Sequence, residues 1–405
     1  MTYVDRIISS MPKVFKPQKK AIIEQLRALM CFSGRATMRN LARYGAGSDK
    51  RQGRWTSQEF DFLMFNTLLL SEEKVVSRSL PEVSEGSPRQ AIVIDATFLR
   101  KSGRKTEGLG YFHNGSSRAM VKLERGLEMS LIGVVNLEER SAYALSIHQS
   151  VDKSSLEVMK DELYARNKDL QQLSRHVVAD GYYARKGFVS LLIEEGFDLV
   201  TLLRHDASLR YLYEGDYLGR GRPKCYDCHV DYSDLSLFER HEGLRDGFEV
   251  YSKIVNYGAW GRDIQVVIKI DHKGRRRIIC STDLMLNAAE ILDLYEARFQ
   301  IEFLFRDAKQ HTGLGHSQVL KSEGQEHFAN SSLTALNLLR IEDRAWALSQ
   351  SLNLRERVGS IGSLKLRKYN HLVVNRFIAF LGGELKPEKI KQACEQAYQT
   401  GLLAA

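Results

Sequence analysis

The sequence predicts an α/β core set between two helical ends. Three observations predict it. Short apolar runs of strand type alternate with helical stretches from residue 91 to 204. Residues 1 to about 75 and residues 321 to 405 carry apolar side chains at helical spacing instead. Between 205 and 282 the texture changes to Gly, Tyr and Arg, with strand-like FEVYSKIVNY, DIQVVIKI and RRRIICST.

The elements follow in order. KKAIIEQLRALMCF spaces Ile22, Ile23, Leu26, Leu29 and Met30 as a helix does. A break at SGR precedes ATMRNLARYG, and a third helix is expected around SQEFDFLMFNTLLL. A helix, a turn at Gly34 and a second helix bearing Arg39 and Arg43 suit a helix-turn-helix. A helical cap with a solvated basic face suits the same residues equally. VSRSLPEVSEGSPRQ, polar and carrying Pro81 and Pro88, reads as a linker. AIVID, LEMSLIGVVNL and SAYALSIHQ are strands, and SSLEVMKDELYARNKDLQQL is a helix. SRHVVAD is a strand, YYARKGFVSLLIEEG a helix and FDLVTLLR a strand. Helices return in NAAEILDLYEARFQIEFLFRDAKQH and SSLTALNLLRIEDRAWALSQ.

Composition narrows the function. A chain of 405 residues suggests two or three units, and 43% hydrophobic content supplies a packed core. The formal charge of +9 favours a polyanionic partner, nucleic acid before membrane. No run of about 18 uncharged apolar residues is present, and the first residues lack the apolar stretch of a secretion signal. A cytoplasmic protein without a membrane partner is expected, and five cysteines fit free thiols in a reducing compartment. CYDCH, with Cys225, Cys228 and His229, has the spacing of a haem or half-zinc motif. It lacks both an export signal and a second Cys/His pair, so ordinary strand residues are expected there.

In YEARFQIEFLFRDAKQ a regular helix places Tyr295, Arg298, Glu302 and Lys309 in a stripe about 60° wide, with Arg306 close by. One carboxylate among cations suits a metal ion facing phosphates. Exposed ion pairs along a surface helix give the same pattern. Glu302 needs partners, because Mg²⁺ is usually held by more than one carboxylate. Asp95 ends AIVID and Asp180 ends HVVAD, where ligand crevices of α/β sheets lie. Asp, Asp and Glu on strand, strand and helix could hold a pair of metal ions about 4 Å apart. Asp283 is the rival acid. Asp307 falls about 140° from Glu302 on a regular helix. His311 and His316 are read as surface or capping residues.

The spacing Tyr295-x2-Arg298-x3-Glu302-x6-Lys309 resembles the Tyr-Arg-Glu-Lys signature of bacterial insertion-sequence DDE transposases, the "insertion sequence four" family. AIVIDATF, HVVADGYYA and STDLMLNAAEILDLYEARFQIEFLFRDAKQ carry the resemblance, over roughly residues 90 to 320. It implies an RNase H-like catalytic core with a β-rich insertion at about 205–282. A helical DNA-binding region would occupy 1–80 and a helical C-terminal region 321–405.

The resemblance further implies that Asp95, Asp180 and Glu302 bind two Mg²⁺ ions, with Mn²⁺ as a substitute. Tyr295, Arg298 and Lys309 would contact DNA near the cut, with Arg306 beside them. The implied reaction is metal-dependent phosphoryl transfer that cuts element ends and joins them to target DNA. Implied partners are double-stranded DNA with terminal inverted repeats and a second copy of the chain, at the bacterial nucleoid. An RNase H-like nuclease that cuts without joining, or an idle DNA-binding relative, is the competing reading.

Weaker DNA contacts are expected at three places. Arg220 and Arg222, in LGRGRPK, resemble a minor-groove hook or a basic hairpin tip. Trp260 could stack on a flipped base or serve packing. Arg204, at the end of DLVTLLR, could touch backbone phosphate.

Overall fold

The computed structural model describes residues 2–55, 58–76, 89–114, 123–216, 219, 223–352 and 360–380, together with 394, 397 and 398. Most of the linker at 76–90 lies outside the described residues, as do Arg220 and Arg222.

Five helices come first: α1 (Thr2–Ser10), α2 (Lys16–Leu29), α3 (Met38–Arg43), α4 (Asp49–Trp55) and α5 (Phe62–Glu72). Helix α2 carries Pro17 in its first turn, where the missing N–H costs nothing. Thr37 caps α3, its side chain accepting from the Asn40 amide at 3.2 Å. Sequence spacing missed α4, and α3 has only six residues, under two turns.

The core follows with β1 (Gln90–Arg100), β2 (Gly110–His113), β3 (Leu123–Asn136), β4 (Ser141–Gln149), α6 (Ser155–Ala165), α7 (Asn167–Gln171), β5 (His176–Val178), α8 (Lys186–Glu194) and β6 (Asp198–Leu203). The insertion supplies β7 (Leu209–Leu212), β8 (Tyr226–His229), β9 (Glu239–Arg240), β10 (Phe248–Tyr257), β11 (Arg262–Asp271) and β12 (Arg276–Ser281). The chain returns through α9 (Ala288–Ala297), α10 (Gln300–Asp307), a π-helical turn (Ala308–Thr312), α11 (Ser322–Ser349) and α12 (Ile361–Phe380).

Twelve strands form one sheet in the order β2-β3-β1-β5-β6-β12-β11-β10-β7-β8, with β4 on β3 and β9 on β10. β1 runs antiparallel to β3 and parallel to β5, and β5 runs parallel to β6. The insertion prolongs the same sheet, because β12 pairs antiparallel with β6. The central strands are buried on both faces and read as continuous apolar runs rather than alternating ones. One buried apolar cluster extends from Val4 in α1 to Leu364 in α12, so the terminal helices share the core of the sheet.

Strand β4 pairs with β3 alone, and helix α11 covers its other side. Asn330 accepts from the Ile147 amide at 2.9 Å and donates to the Ile147 carbonyl at 2.8 Å. One heptad on, Asn337 does the same for Ala144 at 3.0 and 2.8 Å. Glu326 takes the Gln149 amide, and Arg340 donates to the Ala142 carbonyl. Leu145 is the extra residue of a bulge, and Asn66 of α5 donates to its carbonyl at 2.9 Å. Polar side chains on two helices thus take the bonds of a missing neighbouring strand.

Asn337 is fully buried, so Asn337→Ala strands two backbone groups of Ala144. A loss of about 3 kcal/mol is expected, read as a lower thermal midpoint than that of the surface control Gln318→Ala.

Candidate active site

Asp95 and Asp180 meet through strand register. Val93 of β1 lies beside Val178 of β5 in the parallel pairing, so two residues further on Asp95 comes level with Asp180 on the same face. Strand β1 does not end at Asp95. It runs on against β3 to Arg100, and it is β5 that stops. Asp180 then caps a 3₁₀ turn (Gly181–Tyr183), accepting from the Tyr182 amide at 3.0 Å. A Cβ on Gly181 would meet the Leu202 carbonyl oxygen at 3.0 Å, so glycine lets the turn lie against β6.

Glu302 arrives from the helical side, but not on one regular helix. Helix α9 ends at Ala297, and α10 begins at Gln300. Across the junction the amides of Arg298, Phe299, Ile301 and Glu302 each bond three residues back, at 3.0–3.2 Å. That tightened turn, and the π turn closed by Gly313 at φ +80°, rotate the side chains off the stripe of a regular helix. Arg298 therefore points inward. It reaches Asp95 Oδ2 at 3.1 Å through one Nη and Glu302 Oε1 at 3.2 Å through the other.

The guanidinium stands between carboxylates of two different elements. Its Nε is buried without a partner. Its carbon lies 5.8 Å from the Tyr295 ring centre, and it also engages the Tyr295 hydroxyl. Burial pushes the Asp95 carboxyl up to about 6, Arg298 opposes the rise, and the charges of Asp180 and Glu302 add to it. Charge repulsion among these three acids marks a site suited to a cation.

The other expected residues fall as follows. Lys309 is exposed on the π turn, and its crowded surroundings lower its pKa. Arg306 is turned aside, 4.7 Å from the Phe303 ring centre and 3.1 Å from Asp307. Asp307 is buried and paired with Arg340 at 2.9 Å. Arg204 is exposed and lines an open cavity of about 540 Å³ with Arg210, His229 and Tyr257. Trp260, expected as a possible stacking platform, is 7% exposed. Its ring packs edge-on to Tyr257 and its indole N–H donates to the Ala184 carbonyl at 3.3 Å, so no face is offered to a base. Tyr183, left without a role by the sequence, is buried at the end of the turn that Asp180 caps, and burial, with the charges of Asp95, Asp180 and Glu128, holds its phenol well above the ordinary pKa.

Asp283 cannot replace a member of the triad. It joins His176 and Asp198, whose ligand atoms lie with its own within 4.8 Å of one another. Both partners open their strands, so the group sits about 13 Å along the sheet from Asp180. Arg175 already pairs with Asp198 at 2.6 Å and Asp283 at 3.0 Å, which offsets one of the cluster's two negative charges. Among the described residues this is the only such group within that distance. It includes neither CYDCH nor the triad, whose oxygens stand further apart with Arg298 between them. Cys225 and Cys228 are free and exposed.

The family model described as a transposase DDE domain matches residues 86–338, well over half of the chain. The chain belongs to that family. The match covers all twelve strands, both Asp residues, Glu302 and the first part of α11. No curated protein matches the chain. Family membership brings transposase function, DNA as a partner and the use of divalent metal ions. Among the described residues no helix is long and apolar enough to cross a membrane.

The raised Asp95 has a consequence for stability. Its folded value, about 6, exceeds its ordinary value of 3.8. The folded state therefore holds the proton more tightly, and its stabilising share is full below about pH 4 and lost as pH rises to about 6. In metal-free buffer Asp95→Asn is expected to melt higher than wild type at pH 7.5, by about 2–3 kcal/mol at most, and equally at pH 3.5. Thermal scans at the two pH values check it.

Proposed function

We propose that the protein is a cut-and-paste transposase of the "insertion sequence four" type, with Asp95, Asp180 and Glu302 as its catalytic acids. The observation that carries this reading is the meeting of the three acids: two matched strand positions and a helix joined to them by Arg298. The strand order β4-β3-β1-β5-β6, antiparallel and then parallel, supports an RNase H-like core. In this reading 90–320 is catalytic with its insertion at 205–282, 1–80 is a DNA-binding region and 321–405 a helical C-terminal region.

The acids suit Mg²⁺ or Mn²⁺ in a pair. Hard carboxylate oxygens are the ligands such ions take, and a cation would relieve the burial and the neighbouring charge that lift Asp95. When bound, the ions supply an activated water and charge stabilisation at the leaving oxygen. The chain's own residues do the rest. Arg298 offsets part of the acids' charge beforehand and would release both carboxylates as a stronger cation enters. Its guanidinium is then free for a DNA phosphate, for which a planar fork of donors is well matched. Tyr295 packs behind it. Lys309, exposed on the π turn, and Arg204, at the end of β6 just before the insertion, lie ready for backbone phosphates. Two copies of the chain would bring two inverted-repeat ends together in the synaptic complex, and the freed 3′-hydroxyls would attack target DNA.

The test is excision from a donor plasmid carrying the gene's native flanking DNA, with the protein supplied in trans. Glu302→Gln is expected to drop excision to background while end binding survives. Lys309→Ala is expected to weaken binding to cleaved ends and reduce the slope of log K against log salt by about 1. Excision by Glu302→Gln would sink the acid assignment. Cleavage in vitro without joining would favour a nuclease that lacks strand transfer.

A further inference from the structure

We infer that Tyr183 is a positioning residue of the acidic site, its hydroxyl donating to the Asp95 carboxylate once Arg298 has withdrawn. The inference rests on the reading of Asp95, Asp180 and Glu302 as the metal-binding acids.

The first observation is an unmet polar group. Tyr183 is 1% exposed, and its hydroxyl has no hydrogen-bond partner. A buried hydroxyl left unpaired costs about 1–3 kcal/mol. A phenylalanine would fill the same space without that cost, so packing alone does not account for the oxygen.

The second is where the ring is held. Tyr183 is the last residue of the turn capped by Asp180. Its ring packs at 5.4 Å on Phe188 and edge-on at 5.3 Å on Tyr182. The Ala184 carbonyl just beyond it is held by the indole of Trp260. The insertion therefore braces the turn, and the ring cannot swing to solvent to find water.

The third is what lies beside it. Tyr183 closes the turn that Asp180 caps, and strand register sets Asp95 level with Asp180. Burial first, then the charges of Asp95, Asp180 and Glu128, hold the phenol well above its ordinary pKa. It stays protonated and remains a donor. Asp95 has room to accept. Its Oδ1 takes the Ala96 amide at 2.8 Å and its Oδ2 takes Arg298 at 3.1 Å. A carboxylate offers about four lone-pair positions, so Asp95 keeps about two open and departure of Arg298 frees a further one on Oδ2. A group that orients a ligating carboxylate typically changes metal affinity by about 10–100-fold.

The experiment compares wild type, Tyr183→Phe and Asp95→Asn as full-length chains without DNA. Mn²⁺ binding is read by electron paramagnetic resonance, and the metal-free melting point is taken for each. Tyr183→Phe removes one oxygen and keeps the ring. It is expected to melt at or above wild type without metal and to bind Mn²⁺ about 10–100-fold more weakly. Unchanged Mn²⁺ affinity in Tyr183→Phe, with affinity lost in Asp95→Asn, overturns the role of Tyr183 and leaves the acidic site standing. Unchanged affinity in both variants overturns the site itself. A lower melting point in Tyr183→Phe with unchanged affinity makes the hydroxyl structural and also overturns the proposal.

Discussion

Three carboxylates drawn together in a half-buried crevice repel one another, and everything around this site answers that constraint. The register of β1 and β5 sets Asp95 level with Asp180. Glu302 is brought in by a helix pair whose junction is wound tighter than an α-helix. A fold with these acids and no counter-charge would lose stability as they ionise. Arg298 provides the counter-charge from within the same helical segment, bonding Asp95 and Glu302 at once. It does so across the junction of the two helices, where it still meets Glu302 as an i, i+4 partner.

A crevice under such repulsion needs a rigid frame, and the frame is polar where sheets are usually open. The edge strand β4 is locked by Asn330 and Asn337 of α11, with Asn66 of α5 on the bulged Leu145. Asn337 also donates to Asn66, at 3.2 Å, so both helices and the strand share one buried network. This ties the N-terminal helices and α11 into the core that carries the acids. It also shields the edge of the sheet that would otherwise be open to pairing with another chain.

The order of strands and helices was legible because each obeys local rules. The doubly buried strands are continuous apolar runs, and α6 and α9 begin with capping boxes at Ser154 and Asn287. The three acids that the fold brings near one another were picked out in sequence by the ends of apolar runs and a signature spacing, although β1 continues past Asp95. What was not legible is what depends on long-range fit. The inward turn of Arg298 follows from i→i+3 bonding at one junction, which the 100° rule does not contain. Trp260 reads as an aromatic residue in a loop between strands, and only the fold shows the indole seated on Ala184. Asn330 and Asn337 have helical spacing, yet in sequence they resemble polar residues on a solvated face. Their value comes from β4, nearly 200 positions away.

The unmet interactions of the site are not scattered. The Tyr183 hydroxyl and the Arg298 Nε are both buried without partners, and Asp95 carries the raised carboxyl between them. Two other buried acids are matched by cations, and a strand edge by asparagines: Asp307 has Arg340, Asp283 has His176 and Arg175, and the free edge of β4 has its asparagines. In the proposed function a cation would relieve the acids, a phosphate would take the guanidinium, and the phenol would gain the oxygen that Arg298 gives up. Each ligand would then favour the arrangement the other needs, so DNA and divalent ions would bind together more tightly than either alone.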